Sequence, residues 1–204
     1  MADRKDGAPT LVTESTIRSE DWYARDLVNA EFSNVDFIDV DMTELTSQST
    51  VFTNCTFRNV RFNVSTHSDS AFINCTFSRC NLFNATFSRC KMTGSVFDGC
   101  ALDLLVVDGG NWGFVGLSRA DLSSASFVGV KMREVDLTQS RCQGGTLSRC
   151  DLSGASFDKA DFSGCNLTGS DLSSLDPLTA VLKGAQIDDH QAVVLIQSLG
   201  LIVV

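Results

Sequence analysis

Eight of the 204 residues are cysteines and only two are histidines. Three of the cysteines, Cys75, Cys80 and Cys90, fall within the single stretch FINCTFSRCNLFNATFSRC. Thiols at this density suggest a tetrahedral zinc site, a disulfide framework or a reactive nucleophile. His67 is the obvious general base, and Ser47, twenty residues before it, is a candidate nucleophile. Such a pair also needs a group to orient the base and donors to receive an oxyanion, and the sequence offers neither. Carboxylates form the third set: Asp103, Asp108, Asp121, Asp136, Asp151, Asp158, Asp161 and Asp171 are strung along the second half of the chain. What any of these groups can do depends on the architecture that places them.

That architecture is written as a period of five. From Leu27 to Leu182, every fifth residue is apolar except Ser47, His67, Cys142 and Pro177, and twelve of the fourteen phenylalanines lie on this comb. A second comb, two residues earlier, is mostly small. It holds Cys55, Cys75, Cys80, Cys90, Cys100, Cys150 and Cys165 along with alanines, serines and valines, while Cys142 takes a place on the large comb. Neither a helix nor a flat strand repeats every five residues. A coil of four short sides does, with the large residue filling each side from within, the small one tucked into a corner and the other three in water. Residues twenty apart then stack. Phe37, Phe57, Phe77 and Phe97 form one predicted inward ladder and Phe32, Phe52 and Phe72 another, with Asn34, Asn54 and Asn74 at a corner and His67 over Ser47. About eight coils at the inter-strand spacing give a rod on the order of 38 Å long. On this reading the cysteines are buried small hydrophobes. Cys55/Cys75 and Cys80/Cys100 come near enough for bonds that a reducing compartment disfavours.

The segments ADLSSASF and CDLSGASFDKADFSGCNLTGSDL resemble the pentapeptide repeat, A(D/N)LXX. The resemblance implies an all-β fold, a right-handed quadrilateral β-helix over residues 22–187. A finer resemblance lies in SAFINCTF, GSVFDGC, VKMREVDLTQS and LDPLTAVLKGAQIDDHQAVVLIQSLGL. These are similar to the MfpA/Qnr family of gyrase-interacting fluoroquinolone-resistance proteins, nearest its mycobacterial MfpA branch. The similarity covers about residues 22–204, though the chain lacks the two projecting loops of the Qnr members. It implies a tail-to-tail homodimer that imitates B-form DNA and binds DNA gyrase, a type II topoisomerase, either inhibiting it or releasing it from a drug or toxin. It also implies no catalysis, cofactor, metal or small-molecule substrate. A repeat scaffold without gyrase affinity is the alternative.

The bulk composition agrees with a protein partner. A net charge of −9 and a pI near 4.6 disfavour direct contact with nucleic acid or an anionic membrane. No secretory signal or membrane-spanning run is visible, so a cytoplasmic location is expected. Between Cys150 and Asp189 seven acids face only Lys159 and Lys183, which nominates the eight aspartates named above as a partner-binding surface. Residues 1–21 read as a mobile, irregular segment. At the other end Asp188 or Asp189 can cap a short α-helix that Gly200 stops. Its apolar residues need cover, which nominates Val193, Val194, Ile196, Leu199, Leu201 and Val203, within residues 188–204, as a dimer interface.

Overall fold

The computed structural model describes residues 12–203. The chain winds as a parallel β-solenoid whose rungs repeat every twenty residues on four sides. The largest sheet holds seven strands, from Asp26–Val28 to Thr146–Ser148. It continues upward through the single bridges Thr146↔Asn166 and Asn166↔Gln186. A second sheet of five strands and a third of three carry two more sides. The fourth is a ladder of isolated bridges, Asp21↔Asp41↔Arg61↔Asn81↔Ala101, resuming at Asp121↔Arg141↔Asp161↔Val181.

Nearly every side, those of Ser124, Ser174 and Thr179 excepted, ends in a residue with left-handed backbone, which turns the chain toward the next side. Asn34, Asn54 and Asn74 hold φ of 57°, 53° and 53°. On sides without a strand the corner is a hydrogen-bonded turn. Leu45 N–H donates to Met42 O at 3.2 Å with Glu44 at φ 56°, the geometry of a type II turn. Asn, Asp and Gly tolerate this conformation best, which is why they crowd the residue just before each small corner position.

The inward residues stack as the five-residue comb predicts. Phe37, Phe57, Phe77 and Phe97 lie in register, with ring centroids 4.9, 4.8 and 4.6 Å apart and planes within 11° of parallel. Phe32, Phe52 and Phe72 do the same at 5.0 and 4.7 Å. Adjacent ladders meet edge to face, as Phe52 and Phe57 do at 5.5 Å. Each buried ring contributes about 1.5–3 kcal/mol by transfer. Trp112 ends the phenylalanine run against Phe87, Phe97 and Phe127, and leucines fill most of the core above it.

The solenoid starts earlier than the comb suggests. Ser15–Arg18 is a strand paired with Val35–Ile38, and Glu14 N–H donates to Asn34 O at 2.7 Å. The irregular segment expected over 1–21 therefore does not extend past residue 13; residues 1–11 lie outside the described part. Trp22 is buried on the inward phase against Phe32 and Phe37, its indole N–H donating to Glu20 at 2.7 Å. At the far end the helix spans Asp189–Ser198, with Asp188 as N-cap in a reciprocal box with Gln191 and Gly200 at φ 81° beyond its end.

Two adjacent residues test this phase. Phe97→Asp buries an unpaired charge and is expected to unfold the rod. Asp98→Asn, exposed one residue on, should leave the melting temperature within a degree or two. Equal melting curves would contradict the inward assignment.

Candidate functional surface and buried polar cluster

The cysteines are all free, and the corner thiols share one job. Sγ of Cys55, Cys75, Cys80, Cys90 and Cys100 donates to the carbonyls of Phe32, Phe52, Phe57, His67 and Phe77, at 3.3–3.4 Å. Every acceptor lies twenty-three residues earlier, on the inward residue of the rung below. Ser95 and Ser170 make the same bond to Phe72 O and Leu147 O at 2.8 Å. Their hydroxyls also accept from the N–H of Cys75 and Cys150. Where the small comb carries Cys or Ser, the side chain is therefore both small and a donor, with thiols as the weaker donors. Size alone was the sequence-level reading, and this donor role is what it missed. Burial pushes the Cys90 thiol up to about 11 and those of Cys142 and Cys165 to about 12, so these three stay protonated at neutral pH. Among the described residues no three His, Cys, Asp or Glu side chains are placed to hold a metal.

His67 and Ser47 do meet, in the core. Ser47 Oγ lies 2.7 Å from His67 Nδ1 and Ser65 Oγ lies 3.0 Å from Nε2. Ser47 also donates to Ser70 Oγ at 3.1 Å, and the imidazole stacks on Phe87 at 4.6 Å. A neutral ring carries one N–H, so one of the two flanking serines must turn its hydroxyl proton to the ring. All four groups are buried, and their remaining hydrogen bonds end on backbone, Ser65 Oγ near Phe62 O at 2.7 Å and Ser70 Oγ near Ser68 O at 3.0 Å. This is a satisfied polar plug in an aromatic ladder, and its geometry offers no substrate an approach.

The nominated acids have a structural role first. Asp121, Asp136, Asp151, Asp161 and Asp171 each accept, through Oδ1, the backbone N–H two residues on, across the inward side chain. Asn81, Asn111 and Asn166 do the same, which explains why D and N interchange in the repeat. Their other oxygen faces outward, but it is not always free. Asp121 pairs with Arg141 at 2.6 Å and Asp151 with Arg133 at 2.5 Å. Asp158 lies 3.9 Å from Lys159, and Asp161 accepts from Gln143 at 2.5 Å. Hydrogen bonds from Arg141 hold the Asp121 carboxyl below its ordinary range, and Ser163 does this for Asp161. Asp103, Asp108, Asp136 and Asp171 have no ion pair among the described residues. The bridge register sets Asp121 and Asp161 on one side with Arg141 between them, Asp151 over Lys131 on a second and Asp136 on a third, while Asp108 falls on the seven-stranded sheet. The acids are thus spread around the rod rather than gathered on one face.

The predicted interface residues sit on the terminal helix and its tail. Val193 and Val194 are half-buried, and Ile196, Leu199, Leu201 and Val203 are exposed. The anchor of this helix is Gln191, which the sequence reading passed over. Its side chain is buried and donates to Leu167 O and Ser170 O, both at 2.7 Å. These bonds cap the last rungs; Leu195 packs against the core, while Ile196, Leu199 and the tail are left uncovered. Val204 lies outside the described residues.

A four-sided parallel solenoid with turns at five-residue spacing defines the class. Eight copies of the family described as pentapeptide repeats match residues 68–100, 116–139 and 136–174. Residues 68–100 and 116–174 are thus matched by pentapeptide repeats, and the fold is that of a pentapeptide-repeat β-helix. It superposes on full-length QnrB1, a plasmid-mediated fluoroquinolone resistance protein, with a TM-score of 0.66 and 19% identity, covering 92% of this chain and 98% of that one. A trypsin-treated QnrB1 variant gives a TM-score of 0.53 and 23% identity over 93% and 97%. No curated protein matches the chain.

The buried imidazole carries a pH signature. Desolvation lowers the His67 pKa from 6.5 to about 3, so between those values the unfolded chain binds the proton and the folded one does not. Stability is fully present above pH 6.5 and falls as pH drops toward 3, by on the order of 5 kcal/mol from this group. Paired substitution His67→Phe and Ser47→Ala is expected to flatten the decline in melting temperature between pH 6.5 and 4. An unchanged slope would refute the buried neutral imidazole.

Proposed function

We propose that this chain binds DNA gyrase as a rod that stands in for duplex DNA, inhibiting supercoiling or shielding the enzyme from quinolones or gyrase-directed toxins. The observation that carries the reading is the end-to-end match to QnrB1, a fluoroquinolone resistance protein. The acidic surface and the MfpA/Qnr-like segments support it. The chain acts by binding, without catalysis or cofactor. A reducing cytoplasm fits its eight free thiols, and no helix among the described residues is long and apolar enough to cross a membrane.

Charge alone does not supply the imitation. A duplex of the rod's length, roughly 38 Å, carries about 22 charges. The chain nets −9 and pairs Asp121 and Asp151 with arginines. Rod shape must therefore contribute much of the fit, and a second copy joined at the uncovered terminal helix would double both length and charge. Such an isologous contact explains why Ile196 and Leu199 face water in the single chain.

Two experiments check these points. Replacing Asp121, Asp151, Asp161 and Asp171 together with Asn keeps each turn-holding oxygen, so the variant should fold. Its inhibition of gyrase supercoiling should weaken several-fold, and the parent's should fade as salt rises from 50 to 300 mM, because complementary charge governs encounter. A folded variant that inhibits like the parent at every salt concentration excludes these carboxylates. Ile196→Asp/Leu199→Asp should leave the melting temperature unchanged and shift sedimentation from dimer to monomer. A variant that still sediments as a dimer would place the interface elsewhere.

A further inference from the structure

Two of the fourteen phenylalanines, Phe83 and Phe114, fall off the inward comb, and both are exposed, by 42% and 58%. Phe83 has company. Val64 N–H donates to Phe83 O, and Asn84 N–H to Asp103 O, both at 2.9 Å, so Val64, Phe83 and Leu104 sit at one corner on three consecutive rungs. Val106, just past Leu104, extends the same strip, and all four are exposed. The strip runs about 10 Å along the rod.

Local stability argues against these side chains. Val64 and Leu104 occupy the left-handed corner position, with φ of 59° and 56°, where Asn84 stands on the rung between them and Asn29, Asn34, Asn54, Asn59 and Asn74 stand on other sides. A β-branched residue there is an outlier. Both residues are therefore placed where backbone preference and water would each favour Asn. Strain and exposed apolar surface together mark a contact site. Leu104 N–H, moreover, bonds to Ser124 Oγ rather than to the carbonyl ladder. The strip's rim holds Asp103 and Asp108, neither in an ion pair among the described residues. A surface built to grip DNA is rich in Lys and Arg, so an acidic rim around an apolar anchor, formed by Asp103 and by the Asp108 that also acts on Arg89, complements it.

Resting on the gyrase reading, we propose that Val64, Phe83, Leu104 and Val106 form the apolar anchor of the rod's contact with its protein partner. The anchor seats in an apolar notch ringed by Lys and Arg on the enzyme's DNA-handling surface, with Phe83 as the central side chain. Phe114, at φ 60° and two sides away, is a lone strained aromatic outside the strip.

The test measures melting temperature and affinity for purified gyrase with the full chain. Val64→Asn/Leu104→Asn should raise the melting temperature by about 2–4 °C through relief of the left-handed corners. Adding Phe83→Ser should weaken gyrase binding at least tenfold. Phe114→Asn should stabilise similarly and leave affinity unchanged. A stable triple variant that binds like the parent overturns the anchor and leaves the gyrase reading standing. A double variant that loses stability makes the strip a packing feature and also overturns it. A parent without gyrase affinity overturns both.

Discussion

A coil that closes in twenty residues puts every inward side chain directly over the one twenty residues before it, and the rest of the rod follows from that repeat. Identical rings stacked 4.6–5.0 Å apart need identical spacing on every side, which only a fixed left-handed corner every five residues maintains. The backbone ladder spans the rungs through the sides. Some corners add a further donor: the thiol or hydroxyl of Cys75, Cys80, Ser95 and Ser170 reaches down to the carbonyl of the rung below. Core packing, corner geometry and corner hydrogen bonding are thus one constraint met by three residue classes.

Much of this was legible in the sequence because burial of large side chains is periodic and unambiguous. The ladders of Phe37 and Phe32, the stacked Asn34, Asn54 and Asn74 and the capped terminal helix all follow from spacing. Trp22 and Ile17 are also legible, since the five-residue step continued downward from Leu27 falls on both. The thiol hydrogen bonds were hidden because alanine serves at the same position in other rungs, so size looked sufficient. Ion pairs could have been found by applying the twenty-residue step to outward residues: Asp41 with Arg61, Asp69 with Arg89 and Asp121 with Arg141 obey it. Gln191 gave no signal, since its role depends on two carbonyls left open where the solenoid stops.

The same stacking sets the balance between charge and shape on the outside. An Asp that holds its turn also projects a carboxylate, so the repeat acidifies the surface as a consequence of folding. Arginines a rung above neutralise part of it. The result is a uniform, moderately acidic rod, spread over four sides, with an apolar strip at one corner and an uncovered helix at one end. Those two apolar features are the least explained by folding, and both suit contact with another protein surface.

Competition between this chain and duplex DNA for gyrase tests the account most directly. With labelled chain bound to gyrase, added linear duplex should displace it in proportion to duplex concentration, because rod and DNA occupy one surface. A stable complex of gyrase, duplex and chain together, or no gyrase binding at all, would contradict it.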